Sequence, residues 1–422
     1  MRTVTVGLIA LGATALVASA ARTTEKAGRP TSFASQKGGR TDVARVSSSA
    51  AELVAEPGCN ATAFAQLPGD RSLFVGRQLV TAGGQLAGVG GPNDCSGGDP
   101  ANERQGKPFN RWSLVLDRLD WKTRRFSIVK ALLDTSVDRR TGQSQAAVEG
   151  GRMKGLRIRS AYDPSVATLN GTIYIAFECT VENGESFGVQ QTSSCLSVYD
   201  PKAQRLNMKR TVVAVSGDRR GSTYYAAAVP RLMAFKGSLY LYWSALRITN
   251  GAIHHASVRG VRVIASAGDM RIGRANARVM TPFDPASTEV WTPTSSDMSN
   301  LLVNLMGFQV RPDGFLAFAA LGGEGCTAPS GQGKGCFRLA VKHGRIPLAP
   351  AAFNKAEDVD LGLPTNPQEY ASPVIDPAGR TWLMGHFVRP ARNGYSERAP
   401  APSDHFWRSS RRQSALVIIP MD

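Results

Sequence analysis

The feature that most constrains this fold is a repeated hairpin pattern. Four segments place a glycine-containing turn between two apolar runs: VATLNGTIYIAF, RLMAFKGSLYLYW, FQVRPDGFLAFAA and PVIDPAGRTWLMG, with Gly171, Gly237, Gly314 and Gly379 in the turns. Self-similarity at a long, nearly constant period is typical of repeat architectures. The pattern therefore predicts a chain built from repeated β-hairpins.

The clearest copy of the hairpin lies in residues 161–179. Asn170 and Gly171 supply the residue types that a tight turn requires. Pro164 favours an extended backbone at Asp163, directly before the first strand of the hairpin. The second strand alternates, so one of its faces carries Ile173, Ile175 and Phe177. A β-hairpin with a carboxylate at its beginning is the structure that this segment predicts.

A second hairpin follows the first in each repeat. Residues 112–129 align with residues 195–213, which sets Asp117 and Asp200 in matching turn positions. Two hairpins per repeat predict an all-β, five-bladed β-propeller of four-stranded blades over residues 58–422, because radial repetition protects strand edges. The alternative is a β-sandwich with long loops.

The N-terminal residues have a different composition. Residues 1–20 combine a basic start, an apolar run and a small-residue ending, which is typical of a secretory signal peptide. Residues 21–57 are polar and lack apolar periodicity, so they predict a flexible tether. We expect a secreted or periplasmic protein with no membrane-spanning segment after removal of the signal.

Export would place the six cysteines in an oxidising compartment, where thiols pair. The sequence permits 15 connectivities. Sequential pairing is the arrangement that we predict, and it links Cys179 with Cys195, Cys326 with Cys336, and Cys59 with Cys95. No CxxC motif or histidine cluster indicates a metal site, and no motif indicates a cofactor.

The sequence around Asp163-Pro164-Ser165-Val166 resembles the first inner strand of the five-bladed propeller glycosidases, the superfamily of arabinanases, β-xylosidases and fructan hydrolases. In that superfamily the aspartate is a catalytic base or nucleophile, and a glutamate and a second aspartate come from neighbouring inner strands. The chain departs from this pattern in the next repeat, where Ala228 and Val229 precede Pro230. Glu369 is the acid predicted to complete the site, and Glu178 is a further candidate.

These residues predict hydrolysis of glycosidic bonds, since that reaction needs one protonated and one ionised carboxyl group. Aromatic rings with a polar tip suit the faces of sugars. Tyrosines near the predicted axial site are therefore candidate substrate-binding residues: Tyr162, Tyr225 and Tyr370. The alternative function is a non-catalytic propeller that binds an anionic glycan or a cell-surface partner.

Charge gives a second indication of the partner. The chain has 50 basic and 33 acidic residues, a formal net charge of +17. Arg157 and Arg159 precede Asp163, and Arg219 and Arg220 precede the next inner strand. We expect an oligosaccharide or polysaccharide partner, possibly anionic, because such a surface attracts anionic polymers. No motif indicates a nucleic-acid partner.

Overall fold

The computed structural model describes residues 52–53, 64–80, 111–136, 138, 140–141, 143–150, 154–182, 191–249, 252–265, 270–272, 279–291, 303–322, 337–349, 357–358, 367–388 and 414–421. Within these ranges the regular structure is β-strand, apart from a 3₁₀ turn at Met208–Arg210. None of the helices in the described ranges has the length and hydropathy to cross a membrane.

The strands form five antiparallel sheets, each contiguous in sequence except the last. The first sheet contains β2 (Ala65–Gln66), β3 (Leu73–Val80), β4 (Arg111–Asp120) and β5 (Arg125–Leu133). The second contains β6 (Arg157–Leu169), β7 (Thr172–Glu182), β8 (Gln191–Asp200) and β10 (Val212–Val215), with β9 (Arg205–Leu206) beside β8.

The third sheet is the largest. It runs through β11 (Asp218–Arg220), β12 (Thr223–Phe235), β13 (Ser238–Thr249), β14 (Ala252–Ala265) and β15 (Met270–Ile272), with β16 (Thr288–Trp291) also pairing with β14. The fourth contains β17 (Val303–Arg311), β18 (Gly314–Gly322), β19 (Phe337–Gly344) and β20 (Glu357–Asp358).

The fifth sheet joins the two ends of the chain. Its strands β21 (Pro367–Ile375), β22 (Thr381–Val388) and β23 (Ser414–Pro420) are C-terminal, and β1 (Glu52–Leu53) pairs with β23. The predicted tether, residues 21–57, was therefore too long, because Glu52 and Leu53 satisfy the backbone groups of β23 instead of remaining unpaired. The predicted signal peptide lies outside the described residues.

Neighbouring sheets pack through shared apolar layers, which gives the radial arrangement of a β-propeller. Buried residues of neighbouring sheets share one cluster at each boundary, as do Val75 and Phe177, Tyr174 and Trp243, and Phe74 and Trp382. The rings of Phe235 and Phe315 lie 5.6 Å apart between centroids. Ser372 in the fifth sheet donates a hydrogen bond to the Met306 carbonyl in the fourth. The alternative of a β-sandwich was wrong, and the prediction of four strands per unit was too uniform, because the second and third sheets carry additional short strands.

The predicted turns have the expected backbone. Asn170 and Gly171 have φ values of 48° and 75°, and Lys236 and Gly237 have 46° and 70°. Two consecutive positive φ values define the turn that matches the twist of a two-residue hairpin. Glycine adopts this conformation without steric cost. These turns fix the register of β6 with β7 and of β12 with β13.

Asp117 is not a turn residue, which corrects the predicted alignment of the outer hairpins. It lies inside β4, and Asp120 is the true counterpart of Asp200, since each accepts hydrogen bonds from two backbone N–H groups of its turn. Both carboxyl oxygens of Asp117 are buried and have no hydrogen-bond partner in the described part of the chain. Burial raises the pKa of Asp117 well above its usual value.

The structure confirms one predicted disulfide, Cys179–Cys195, which joins β7 to β8 inside the second sheet. The other predicted pairs, Cys326–Cys336 and Cys59–Cys95, lie outside the described residues. Both cysteines of the observed bond are fully buried. The bond therefore lies in the core that the first and second sheets share.

We expect removal of the Cys179–Cys195 bond to destabilise the protein. The cysteines are 16 residues apart, and closing a loop of about that size contributes roughly 2–4 kcal/mol. The measurement is chemical denaturation of wild type and of the double variant Cys179→Ala/Cys195→Ala. Non-reducing peptide mapping provides the control, and a crosslink from either cysteine to another position would contradict the assignment.

Candidate functional site

The candidate site lies at register breaks in long strands of the second, third and fifth sheets. The pairing shifts between Tyr162 and Ser165 in β6, between Ala228 and Arg231 in β12, and between Pro367 and Ala371 in β21. Each break falls at the same distance in sequence from the end of its strand. Register breaks re-aim side chains and are common beside functional sites.

Two residues at these breaks have a left-handed backbone. Asp163 has φ 53° and Val229 has φ 51°, and each precedes a proline. This conformation is uncommon for aspartate and strained for a β-branched residue. Surrounding contacts must hold both residues in place. The equivalent position in β21 is Glu369. Its backbone therefore lies at the same point along its strand as that of Asp163, as predicted for the second acid of the site.

Asp163 is held by an arginine from the first sheet. Its Oδ1 lies 3.3 Å from Nη1 of Arg77, and the two side chains are 1% and 5% exposed. The Arg77 guanidinium lies 4.6 Å from the centre of the Trp112 ring. Because a buried charge is stable only with a partner, this ion pair compensates for the burial of the Asp163 carboxylate.

Glu178 lies in β7, opposite Tyr162 of β6. Its Oε2 accepts a hydrogen bond of 2.8 Å from the backbone N–H of Val229. The Tyr162 hydroxyl is hydrogen-bonded to Glu178 and to Thr180. Burial, followed by the neighbouring charge of Asp163, raises the pKa of Glu178 to about 8. Glu178 is therefore protonated at neutral pH, whereas Asp163 faces a cation.

Arg231 connects the inner strands of three sheets. Its Nε donates to the Met306 carbonyl at 2.7 Å, and its Nη1 donates to the carbonyls of Pro230 at 2.8 Å and Asp163 at 3.3 Å. The side chain is fully buried. These bonds place one guanidinium between β6, β12 and β17, directly beside Asp163. We call Arg77, Asp163, Glu178, Tyr162 and Arg231 the axial cluster.

The structure brings together only part of the predicted site. Asp163 and Tyr162 belong to the axial cluster, with Tyr162 buried against Glu178 rather than exposed to a ligand. Glu369 and Tyr370 lie in β21, and their side chains fall outside the described part. Tyr225 is half-buried in β12, where its ring packs against Phe283.

The two predicted arginines differ in exposure. Arg159 is buried, 9% exposed, so the prediction that it binds an external polymer is corrected. Arg157 is half-buried, and its guanidinium donates to the Ser144 carbonyl at 3.3 Å. Its predicted ligand-binding role stays a prediction.

Sequence reasoning missed Arg77 and Arg231. Arg77 was detectable as the one charged residue in the apolar run LFVGRQLV, and Arg231 as a charge directly after the second Pro-containing break. Neither signal identifies a partner in another sheet. Among the residues described, no group of three or more His, Cys, Asp and Glu side chains is arranged to hold a metal ion.

Solved structures similar to this protein are propeller hydrolases. An endo-arabinase from Bacteroides thetaiotaomicron is 11% identical, with 88% of this chain and 98% of that chain covered at a TM-score of 0.44. A thermostable family-43 glycoside hydrolase is 10% identical, with 87% and 92% covered at 0.43. A Xanthomonas citri GH43_1 enzyme complexed with xylose is 11% identical, with 88% and 90% covered at 0.42.

The chain is similar in fold to these glycoside hydrolases. No protein-family model and no curated protein sequence matches the chain. At such low identities the likeness concerns the fold, so the argument about function rests on the axial cluster.

Proposed function

We propose that this protein is a secreted, five-bladed propeller that hydrolyses glycosidic bonds with the carboxyl groups of Asp163 and Glu178. The observation that carries the proposal is the difference between their environments within one cluster. Glu178 has a pKa of about 8, and Asp163 forms an ion pair with Arg77. Glycoside hydrolysis requires such a pair, because one group must donate a proton while the other remains ionised.

In the proposed mechanism, Glu178 donates its proton to the oxygen of the leaving sugar as the glycosidic bond breaks. Asp163 either attacks the sugar carbon or removes a proton from an attacking water. Arg77 pairs with the carboxylate of Asp163, and Tyr162 orients the Glu178 carboxyl group. The five sheets are the five blades around this axis, and the partner is an oligosaccharide or polysaccharide.

The second candidate function is carbohydrate binding without catalysis. Its support is the burial of both carboxyl groups, each residue 1% exposed, together with Val229 at the position where a further acid was expected. Hydrolysis requires the buried cluster to open so that a substrate can enter. Binding at another surface of the propeller does not require this opening.

A turnover assay separates the two functions. Wild type is tested on aryl glycosides and on plant, bacterial and algal polysaccharides, including arabinan and xylan, with released reducing ends measured. We expect hydrolysis by wild type and its loss, by about 100-fold or more, in Asp163→Asn/Glu178→Gln. The control Asp313→Asn/Glu149→Gln makes the same changes at exposed carboxyl groups and should retain activity.

Two outcomes would count against the proposal. Turnover that survives in the double variant would show that other carboxyl groups perform the reaction. Binding of a glycan by wild type, with no turnover on any substrate, would establish the binding function instead. Melting curves of all proteins confirm that lost activity does not reflect unfolding.

A further inference from the structure

A second surface with the properties of a ligand site lies on the third sheet. Tyr225 of β12 pairs with Arg247 of β13, which pairs with His255 of β14. Side chains directly opposite one another across antiparallel strands project from the same face. Arg220 of β11 is two residues from Asp218, the partner of Tyr225, so it projects from that face too. We call Arg220, Tyr225, Arg247 and His255 the rim surface.

Two arginines of the rim surface are accessible. The Arg220 side chain is 73% exposed, and Arg247 is exposed. Strands are spaced by about 4.8 Å, so β11 and β13 hold the two arginines roughly 10 Å apart across the sheet. A single small anion does not bridge that separation. A polymer with repeated negative charges does.

Two contacts restrain the Arg220 side chain before any ligand binds. Its guanidinium lies 5.6 Å from the centre of the Tyr225 ring, and its Nε donates to Asp218 Oδ2 at 2.9 Å. The Tyr225 ring in turn makes an edge contact with Phe283, 6.1 Å between centroids. No other hydrogen bond of Arg220 occurs within the described residues, which leaves its terminal nitrogens for a ligand. Such bracing lowers the entropy that the side chain loses on binding.

Within the described residues the nearby acids cancel only part of this charge. Glu289 Oε2 lies 3.2 Å from Nη1 of Arg259, which neutralises it, and 3.9 Å from Nε2 of His255. Asp218 forms an ion pair with Arg220 and offsets its charge, while Arg247 remains exposed. Arg219 adds a further cation on the opposite face of the same hairpin, 4.9 Å from the Tyr224 ring. The end of the third sheet that begins at Asp218 is therefore positively charged.

We propose that the rim surface binds an acidic polysaccharide through its carboxylate or sulfate groups. Guanidinium groups bind such planar or tetrahedral oxyanions with paired hydrogen bonds. Single-stranded nucleic acid is the less suitable polymer, since it needs open aromatic faces for base stacking. The ring of Tyr225 is instead covered by Arg220 and contacted by Phe283. The inference shares with the proposed function only the glycan partner and does not require hydrolysis.

The test measures dissociation constants for polygalacturonate and dextran sulfate, with neutral dextran and single-stranded DNA as comparison polymers. We expect the acidic polysaccharides to bind, more weakly as salt increases. Arg220→Gln/Arg247→Gln should raise their dissociation constants by roughly tenfold or more. The control Arg205→Gln/Arg262→Gln removes the same charge from exposed arginines near the turns at the other end of the sheets and should change them less than twofold.

Three results would overturn the inference: no binding of either acidic polysaccharide, equal weakening in both double variants, or tighter binding of DNA than of either polysaccharide. Comparing binding with turnover in wild type separates this inference from the proposed function. Acidic-polysaccharide binding by a wild type that shows no turnover on any substrate would leave the rim surface standing and remove the hydrolase. Turnover by wild type without binding to the acidic polymers would support the hydrolase and overturn the inference about the rim surface.

Discussion

Replacing Glu178 with glutamine is expected to lower turnover by about 100-fold or more, since an amide cannot donate the proton that the leaving group requires. In wild type, turnover should fall as pH rises through about 8, where Glu178 loses its proton. The residual activity of Glu178→Gln should not decrease in this alkaline range. The measurement is kcat against pH for both proteins on the best substrate of the panel.

Two further variants make this result specific. Glu149→Gln changes an exposed glutamate and should keep the wild-type profile. Glu369→Gln tests the acid first predicted from the sequence, whose backbone lies level with Asp163. If Glu369→Gln removes the alkaline fall while Glu178→Gln retains it, the proton donor is Glu369 and the proposed role of Glu178 is wrong.

The same substitution should change the pH dependence of stability. The pKa of Glu178 is about 8 in the folded protein, against an ordinary glutamate value of 4.5. Between these values the folded protein holds a proton that the unfolded chain has released, so stability falls as pH rises, by about 1.4 kcal/mol per pH unit for one such group. The stability that this proton contributes is fully present below pH 4.5 and is lost above pH 8.

Glutamine does not titrate, so the free energy of unfolding of Glu178→Gln should decline less between pH 5 and 8. Asp117 contributes in the same direction, because its pKa is also raised by burial. The informative quantity is therefore the difference between wild type and variant, measured by urea denaturation at several pH values. An identical decline in both proteins would contradict the pKa assigned to Glu178.

Replacing Arg231 with methionine is expected to cost about 3–5 kcal/mol of stability. The variant keeps an apolar stem of similar length but removes the donors to the carbonyls of Met306, Pro230 and Asp163. Buried carbonyls left without a partner are unfavourable. Loss of the guanidinium would also release the inner strands of three sheets from their common contact.

The comparison is made by urea denaturation at pH 7. Arg262→Met, at an exposed position of β14, should differ from wild type by less than about 0.5 kcal/mol. Arg231→Lys retains the charge but not the planar fork, so we expect it to recover only part of the loss. Equal stabilities for Arg231→Met and Arg262→Met would show that the guanidinium does not hold the inner strands together.

Local features of the fold followed from the sequence. Asn170-Gly171 set the turn between β6 and β7, and strict alternation placed Ile175 and Phe177 on one buried face. The Cys179–Cys195 bond also followed, since both residues lie in neighbouring strands of one sheet. Each of these depends on contacts between residues close in the chain, where propensity and periodicity carry the information.

Matching the aspartates of the two outer hairpins did not give the correct register of their strands. Asp117 and Asp200 are both aspartates in apolar strands, yet the turn is marked by left-handed Arg124 and Gln204, which align Asp120 with Asp200. A shift by an odd number of residues moves a side chain to the other face of the sheet. Asp117 consequently lies buried in the core instead of in a solvated turn.

By itself, the sequence determined the repeated hairpins, their turns and the position of Asp163 directly before a proline. Only the tertiary structure decided which groups surround it, because Arg77 reaches the Asp163 carboxylate, Arg231 the Asp163 carbonyl and the Val229 N–H the Glu178 carboxyl group, all from other sheets. The pKa of Glu178 depends on the same long-range packing, since removal from water and a nearby charge raise it. Desolvation and charge pairing arise from contacts between distant parts of the chain, and no local pattern encodes them.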